Sequence, residues 1–121
     1  MEEKKILTKE QKMAQSAWIC VEKRSKAGAF GDYTSFALAF PALIHSCGLA
    51  QAVAFATAKK QADYLADIQE VFNAIDRAGD LMERSREAGL AEYSRISRHA
   101  LAAASWIKRY CQALDKEAKG E

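Results

Sequence analysis

The chain has 121 residues, with 18 lysines and arginines against 16 aspartates and glutamates and a formal net charge of +2. That length fits one domain with a modest core, and that charge excludes a protein that binds polyanions through bulk charge alone. Half of the residues are hydrophobic and there is a single proline, a composition that favours helix throughout.

The charged stretch MEEKKILTKEQK lacks the apolar run of a secretion signal, so a cytoplasmic protein is expected. A first helix is predicted from about Thr8 to Ala27. Thr8 and Gln11 have the spacing of a capping box. Met13, Ala14, Ala17, Trp18 and Val21 recur at three and four residues and share a face. Lys5, Lys9, Lys12, Lys23 and Lys26 form a basic sector if the helix includes Lys5, with Ser16 and Ile19 between them. Gly28 and Gly31 end the helix, and Asp32 is placed to cap a second one, about Tyr33 to Cys47. Pro41 is expected to kink that helix or divide it, because its ring removes a backbone donor.

The least polar stretch, FPALIHSCGLAQAVAFATAKK, runs from Phe40 to Lys60. A membrane span needs about 20 apolar residues, and Pro41, His45, Ser46, Gly48 and Gln51 interrupt this one. It reads instead as two buried helices meeting at a corner, with Gly48 in left-handed backbone as the terminator. The third helix, Leu49 to about Lys60, is apolar on most sides and therefore expected to be central. Lys59 and Lys60 suit the negative end of its dipole.

A fourth helix is predicted from about Ala62 to Ala78, with Tyr64, Leu65, Ile68, Val71, Phe72 and Ile75 inward, its carboxylates mainly on the solvent side, and Gly79 as the stop. A short piece over Asp80 to Ala88 precedes a long last helix, about Leu90 to Ala118. Its apolar line is Tyr93, Ile96, Ala100, Ala104, Ile107, Cys111 and Leu114, close to a heptad seam. The expected fold is all-α: a single-domain bundle of five to six helices spanning 1–121, with an ordered core over about 8–117 and charged termini.

No catalytic, cofactor or metal site is expected. His45 and His99 are the only histidines, and neither belongs to an H-E-x-x-H or E-x-x-H pattern. No phosphate-cradling glycine loop, G-x-S-x-G or C-x-x-C occurs. Cys20, Cys47 and Cys111 sit among apolar neighbours and are expected to be reduced core residues.

Positive charge gives the better signal. At about 100° per residue, Arg95, Arg98, Arg109 and Lys116 share a sector opposite the apolar seam, and Ala91 and Ala102 leave it open. Together with the lysines of the first helix they suggest a surface that follows a phosphate backbone. Lys23, Lys26, Arg95, Arg98 and Arg109 are the candidate RNA contacts, with Lys59 and Lys60 as second choices. Trp106 lies beside the arginines, as a core or interface residue or as a stacking platform for a base. Cations on outer helix faces also serve solubility, and Ile19 among lysines points to a protein contact. The residues alone leave two readings open: an RNA binder, or a helical adaptor with no RNA contact.

The stretch SFALAFPALIHSCGLAQAVAFATAKK, Ser35 to Lys60, resembles the central signature of the small α-helical subunit of type III-B CRISPR effector complexes, the fifth subunit of the Cmr complex. Phe40-Pro41-Ala42-Leu43-Ile44 and Gly48-Leu49-Ala50-Gln51 match its turn and the helix after it, with Phe40 and Cys47 where Leu and Asn are expected. EYSRISRHALAAASWIKRYCQAL, Glu92 to Leu114, resembles the closing helix, with His99 where the family often has an acid. AQSAWICVEK, Ala14 to Lys23, fits the family start. The resemblance covers about residues 8–115. It implies a non-catalytic subunit whose copies stack as the smaller filament of a ribonucleoprotein. Those copies pack on the backbone subunits that carry the guide RNA, and they flank the channel for target RNA, met as a single strand or as a guide–target duplex.

Overall fold

Every regular element is an α-helix among the residues this computed structural model describes, 6–115. Six are present: α1 (Lys9–Ser25), α2 (Phe30–Cys47), α3 (Leu49–Ala58), α4 (Ala62–Asn73), α5 (Leu81–Glu87) and α6 (Leu90–Leu114). The all-α bundle and its long last helix are as expected.

Thr8 starts α1 with both halves of the capping box: the Gln11 N–H donates to Thr8 Oγ1 at 3.1 Å and the Thr8 N–H to Gln11 Oε1 at 2.9 Å. α2 begins earlier than Asp32 suggested. Its N-cap is Ala29, in left-handed backbone at φ 62°. Asp32 lies in the first turn, where its charge complements the helix dipole without capping. α2 continues through Pro41 and is not divided; the proline withholds one donor, from the Ala37 carbonyl, while the rest of the ladder closes.

Gly48 separates α2 from α3 in a single residue. Its φ of 85° is positive, as expected, but its ψ of 161° is extended rather than left-handed. That region is essentially restricted to glycine. Tyr93 of α6 secures the corner, its hydroxyl accepting from the Ala50 N–H at 3.0 Å. α3 is not central. Leu49, Ala52, Val53 and Ala56 are buried, whereas Phe55 is 43% exposed and Ala54 faces solvent. Alanine tolerates either side of a helix, so an alanine-rich run looks apolar all round without being enclosed.

α4 stops at Asn73, short of the expected Ala78, because side chains fold the following residues into a turn. The Ala78 N–H donates to Asp76 Oδ1 at 3.0 Å. Gln69 bonds the Gly79 carbonyl at 3.0 Å and accepts from the Leu81 N–H at 2.7 Å, capping α5 in place of Asp80.

α6 is the spine, packed most extensively on α1 and α2. Ile96, Ala100, Ala103, Ala104, Ile107 and Cys111 are fully buried along it, and the three alanines allow close helix approach. Tyr64 closes the other side of the core against Phe40 and Phe36, with ring centroids 5.0 and 5.2 Å away. Cys20 and Cys111 are core residues, and burial pushes their thiols up to about 11 and about 12. Cys47 corrects the sequence reading: at the end of α2 it is exposed.

Candidate nucleic-acid interface

The sector opposite the buried seam of α6 carries Arg98, Ala102 and Arg109, with both arginines exposed. About 16 Å separates them along the helix. Among the described residues Arg98 hydrogen-bonds locally, its Nη1 donating to Ser94 Oγ at 3.1 Å. Among the described residues Arg109 has no ion pair.

Arg95 is different. Its Nε lies 3.2 Å from Asp76 Oδ2, and its side chain is 43% exposed. His99, one turn on, reaches the same oxygen through Nδ1 at 2.6 Å. Burial raises the Asp76 carboxyl, but hydrogen bonds from Arg95 and His99 outweigh it and hold the group below its ordinary value. Arg95 and His99 therefore clamp the α4–α5 connection onto α6.

On α1, Lys9, Lys12, Lys23 and Lys26 are exposed; Lys5 and Lys116 lie outside the described residues. Arg24, between Lys23 and Lys26, turns inward. Its Nε donates to Asp67 Oδ2 at 2.8 Å and its Nη2 to Asp67 Oδ1 at 3.1 Å, and Asp63 lies 3.5 Å from Nη1. The Tyr33 hydroxyl donates to the same carboxylate at 2.7 Å. The hydrogen bond to Asp67 pushes Arg24 up from its ordinary value, and burial first and the hydroxyl's own hydrogen bond to Asp67 second do the same to Tyr33. Asp67 is thus not on a solvated face; it is buried. Its spacing of three from Tyr64 and four from Val71 was the available signal. Asp63 and Glu70 do face solvent.

The candidate contacts lie on three parts of the molecule: Lys23 and Lys26 at the end of α1 docked on α4, Arg95, Arg98 and Arg109 along α6, and Lys59 and Lys60 at the α3–α4 corner. Lys59 rests over the Phe55 ring at 5.5 Å, and Lys60 takes left-handed backbone at φ 58°. A shallow depression lined by Glu10, Ala102, Ser105, Trp106 and Arg109 joins the start of α1 to the later half of α6. Beside it Tyr110 packs on Trp106, centroids 5.7 Å apart and planes at 30°, and meets the edge of Trp18 at 5.3 Å. The sequence reading singled out Trp106 but not Glu10, whose position depends on how two distant helices cross.

Among the described residues no group of three or more His, Cys, Asp or Glu is placed to hold a metal ion. No described helix is long and apolar enough to cross a membrane.

Comparison with known proteins gives this arrangement a family. The family described as CRISPR-associated protein (Cas_Cmr5) matches residues 9–114. The CRISPR system Cmr subunit Cmr5 of Thermus thermophilus is 38% identical over 113 residues, covering 91% of this chain and 98% of that protein. An X-ray crystal structure of a CRISPR-associated Cmr5 family protein from Thermus thermophilus superposes with a TM-score of 0.81 at 38% identity, covering 89% of this chain and 98% of that one. The match runs from the capped start of α1 to the last turn of α6, and the chain belongs to the Cmr5 family of CRISPR-associated proteins.

Proposed function

We propose that this chain is a non-catalytic structural subunit of a type III-B CRISPR (Cmr) ribonucleoprotein complex in the cytoplasm. It packs with copies of itself on the guide-bearing backbone subunit and turns a basic face to the target RNA. The observation that carries the RNA part is the row of exposed cations on α6, Arg98 and Arg109, set directly opposite a seam of fully buried residues. Lys23 and Lys26 extend positive charge to a second helix, and Lys59 and Lys60 supply a third point. Guide pairing reads sequence, so such a wall needs only charge and shape.

Alanine at Lys23, Lys26, Arg98 and Arg109 together should weaken target-RNA binding by the assembled complex at low salt. It should also reduce the salt slope by about 3, at roughly 0.7 per phosphate contact to a single strand. Unchanged affinity and slope with normal assembly would favour the second reading, an adaptor with no RNA contact. Ile19, 65% exposed, beside Trp18, 38% exposed, on the lysine-bearing α1 motivates that reading.

A further inference from the structure

The geometry points to a subsite for one unpaired nucleotide in the depression between α1 and α6, its base on Trp106, its phosphate on Arg109 and its exocyclic amino group on Glu10. This deepens the RNA-facing reading above and rests on it.

Four features fit that ligand. Trp106 is partly exposed and is held by Tyr110, itself braced by Trp18. A ring fixed this way loses little freedom when a base stacks on it, and stacking is tolerant of sequence because every base has a π face. Ala102 and Ser105 leave room beside the indole. The Ser105 hydroxyl already donates to the Leu101 carbonyl at 2.9 Å, so it presents lone pairs without demanding an acceptor. Arg109 is exposed one turn beyond the ring and without an ion pair among the described residues, free to meet a phosphate.

Glu10 gives the site direction. A carboxylate repels phosphate and accepts from N–H groups. On the same rim as Arg109, it favours one orientation, phosphate toward the guanidinium and base toward the carboxylate. Adenine, cytosine and guanine carry an exocyclic amino group that can donate to it; uracil has only its N3–H, flanked by two carbonyl oxygens that a carboxylate repels. The subsite therefore prefers amino-bearing bases over uracil, in a protein whose other contacts are indifferent to sequence.

The test uses the full chain with Trp18→Phe, which keeps an aromatic ring against Tyr110 and leaves Trp106 as the sole indole, since the sequence holds two tryptophans. The affinities of this variant for each oligomer are first matched to wild type by anisotropy. Oligoadenylate, oligouridylate and an abasic oligomer of equal length are titrated at low salt, following indole fluorescence and, separately, the anisotropy of labelled oligomers. The expected result is saturable quenching by oligoadenylate, with affinity about three- to tenfold above that for oligouridylate, the worth of one added hydrogen bond. The abasic oligomer should bind without quenching. Glu10→Ala should bring the adenine-to-uracil ratio close to one even if overall affinity rises. Trp106→Leu should cost about fivefold or more for oligoadenylate, the low end of a stacked base, and little for the abasic oligomer.

Salt-dependent binding with no quenching, or with equal adenine and uracil affinity, would overturn the subsite and leave the RNA-facing reading standing. Quenching of Trp106 on assembly with the protein subunits, unchanged by target RNA, would show the indole covered by protein and would also overturn it. Absence of RNA binding both in the free chain and in the complex would overturn both readings.

Discussion

Asp76 takes two donors from successive turns of α6, Arg95 Nε at 3.2 Å and His99 Nδ1 at 2.6 Å, and offers its other oxygen to the Ala78 N–H at 3.0 Å. Its pKa falls below the ordinary 3.8 on folding, so the folded state binds the proton less well than the unfolded chain. The stability this provides is complete above the unfolded value and is lost as pH falls through the lower folded one. Urea denaturation of the wild type and of Asp76→Asn should show a gap that is constant from about pH 5 to 7 and closes below about pH 4. A gap unchanged down to pH 2 would mean the carboxylate is not held by these donors. Asp67 carried a signal of burial in its spacing from Tyr64 and Val71 but none of its partner, and Asp76 was legible only as an acid, which is assigned to solvent by default. A buried carboxylate requires a partner, and Arg24 and Arg95 are remote in sequence from the acids they serve, so no local pattern announced either pair. Arg95 looked free on the helical wheel for the same reason. The wheel shows direction along one helix and nothing of the connection that crosses it.

Elements were easier to read than their ends. The periodicity of α1, α4 and α6 and the capping box at Thr8 came directly from spacing, since each depends on residues three and four apart. Ends set by remote side chains did not: Gln69 and Asp76 terminate α4 before its glycine, and Ala29 rather than Asp32 begins α2. Gly48 sits between these cases. The sequence identified it as the corner, but φ 85° with ψ 161° is a conformation denied to side-chain-bearing residues in a way the left-handed region is not. A Cβ built there would stand 3.4 Å from the Tyr93 hydroxyl that caps α3, an ordinary contact, so the backbone angle and not the space opposes a side chain. Gly48→Ala should therefore lose about 1–3 kcal/mol by thermal or urea unfolding. Gly28→Ala, with ordinary φ and nothing within 4 Å of the added methyl, should stay within about 0.5 kcal/mol. Equal effects at the two sites would show that the corner tolerates a side chain.

At the scale of the whole molecule, α6 divides its circumference between two tasks. Ala100, Ala103, Ala104, Ile107 and Cys111 are fully buried on one side, and Arg98 and Arg109 face out on the other. The separation keeps the outward cations away from the core, so each side should respond to mutation almost independently. Ala104→Leu adds bulk where exposure is 0%, and overpacking of this kind costs about 1–3 kcal/mol. The variant should unfold at lower urea yet retain the wild-type salt slope for target RNA while it is folded. Arg98→Ala with Arg109→Ala should do the reverse, lowering the slope by about 1.4, at roughly 0.7 per contact, and leaving the unfolding midpoint in place. Should the core variant also change the slope, α6 would be transmitting packing strain to its outer face, and the cations would depend on the exact helix position rather than on which side of it they occupy.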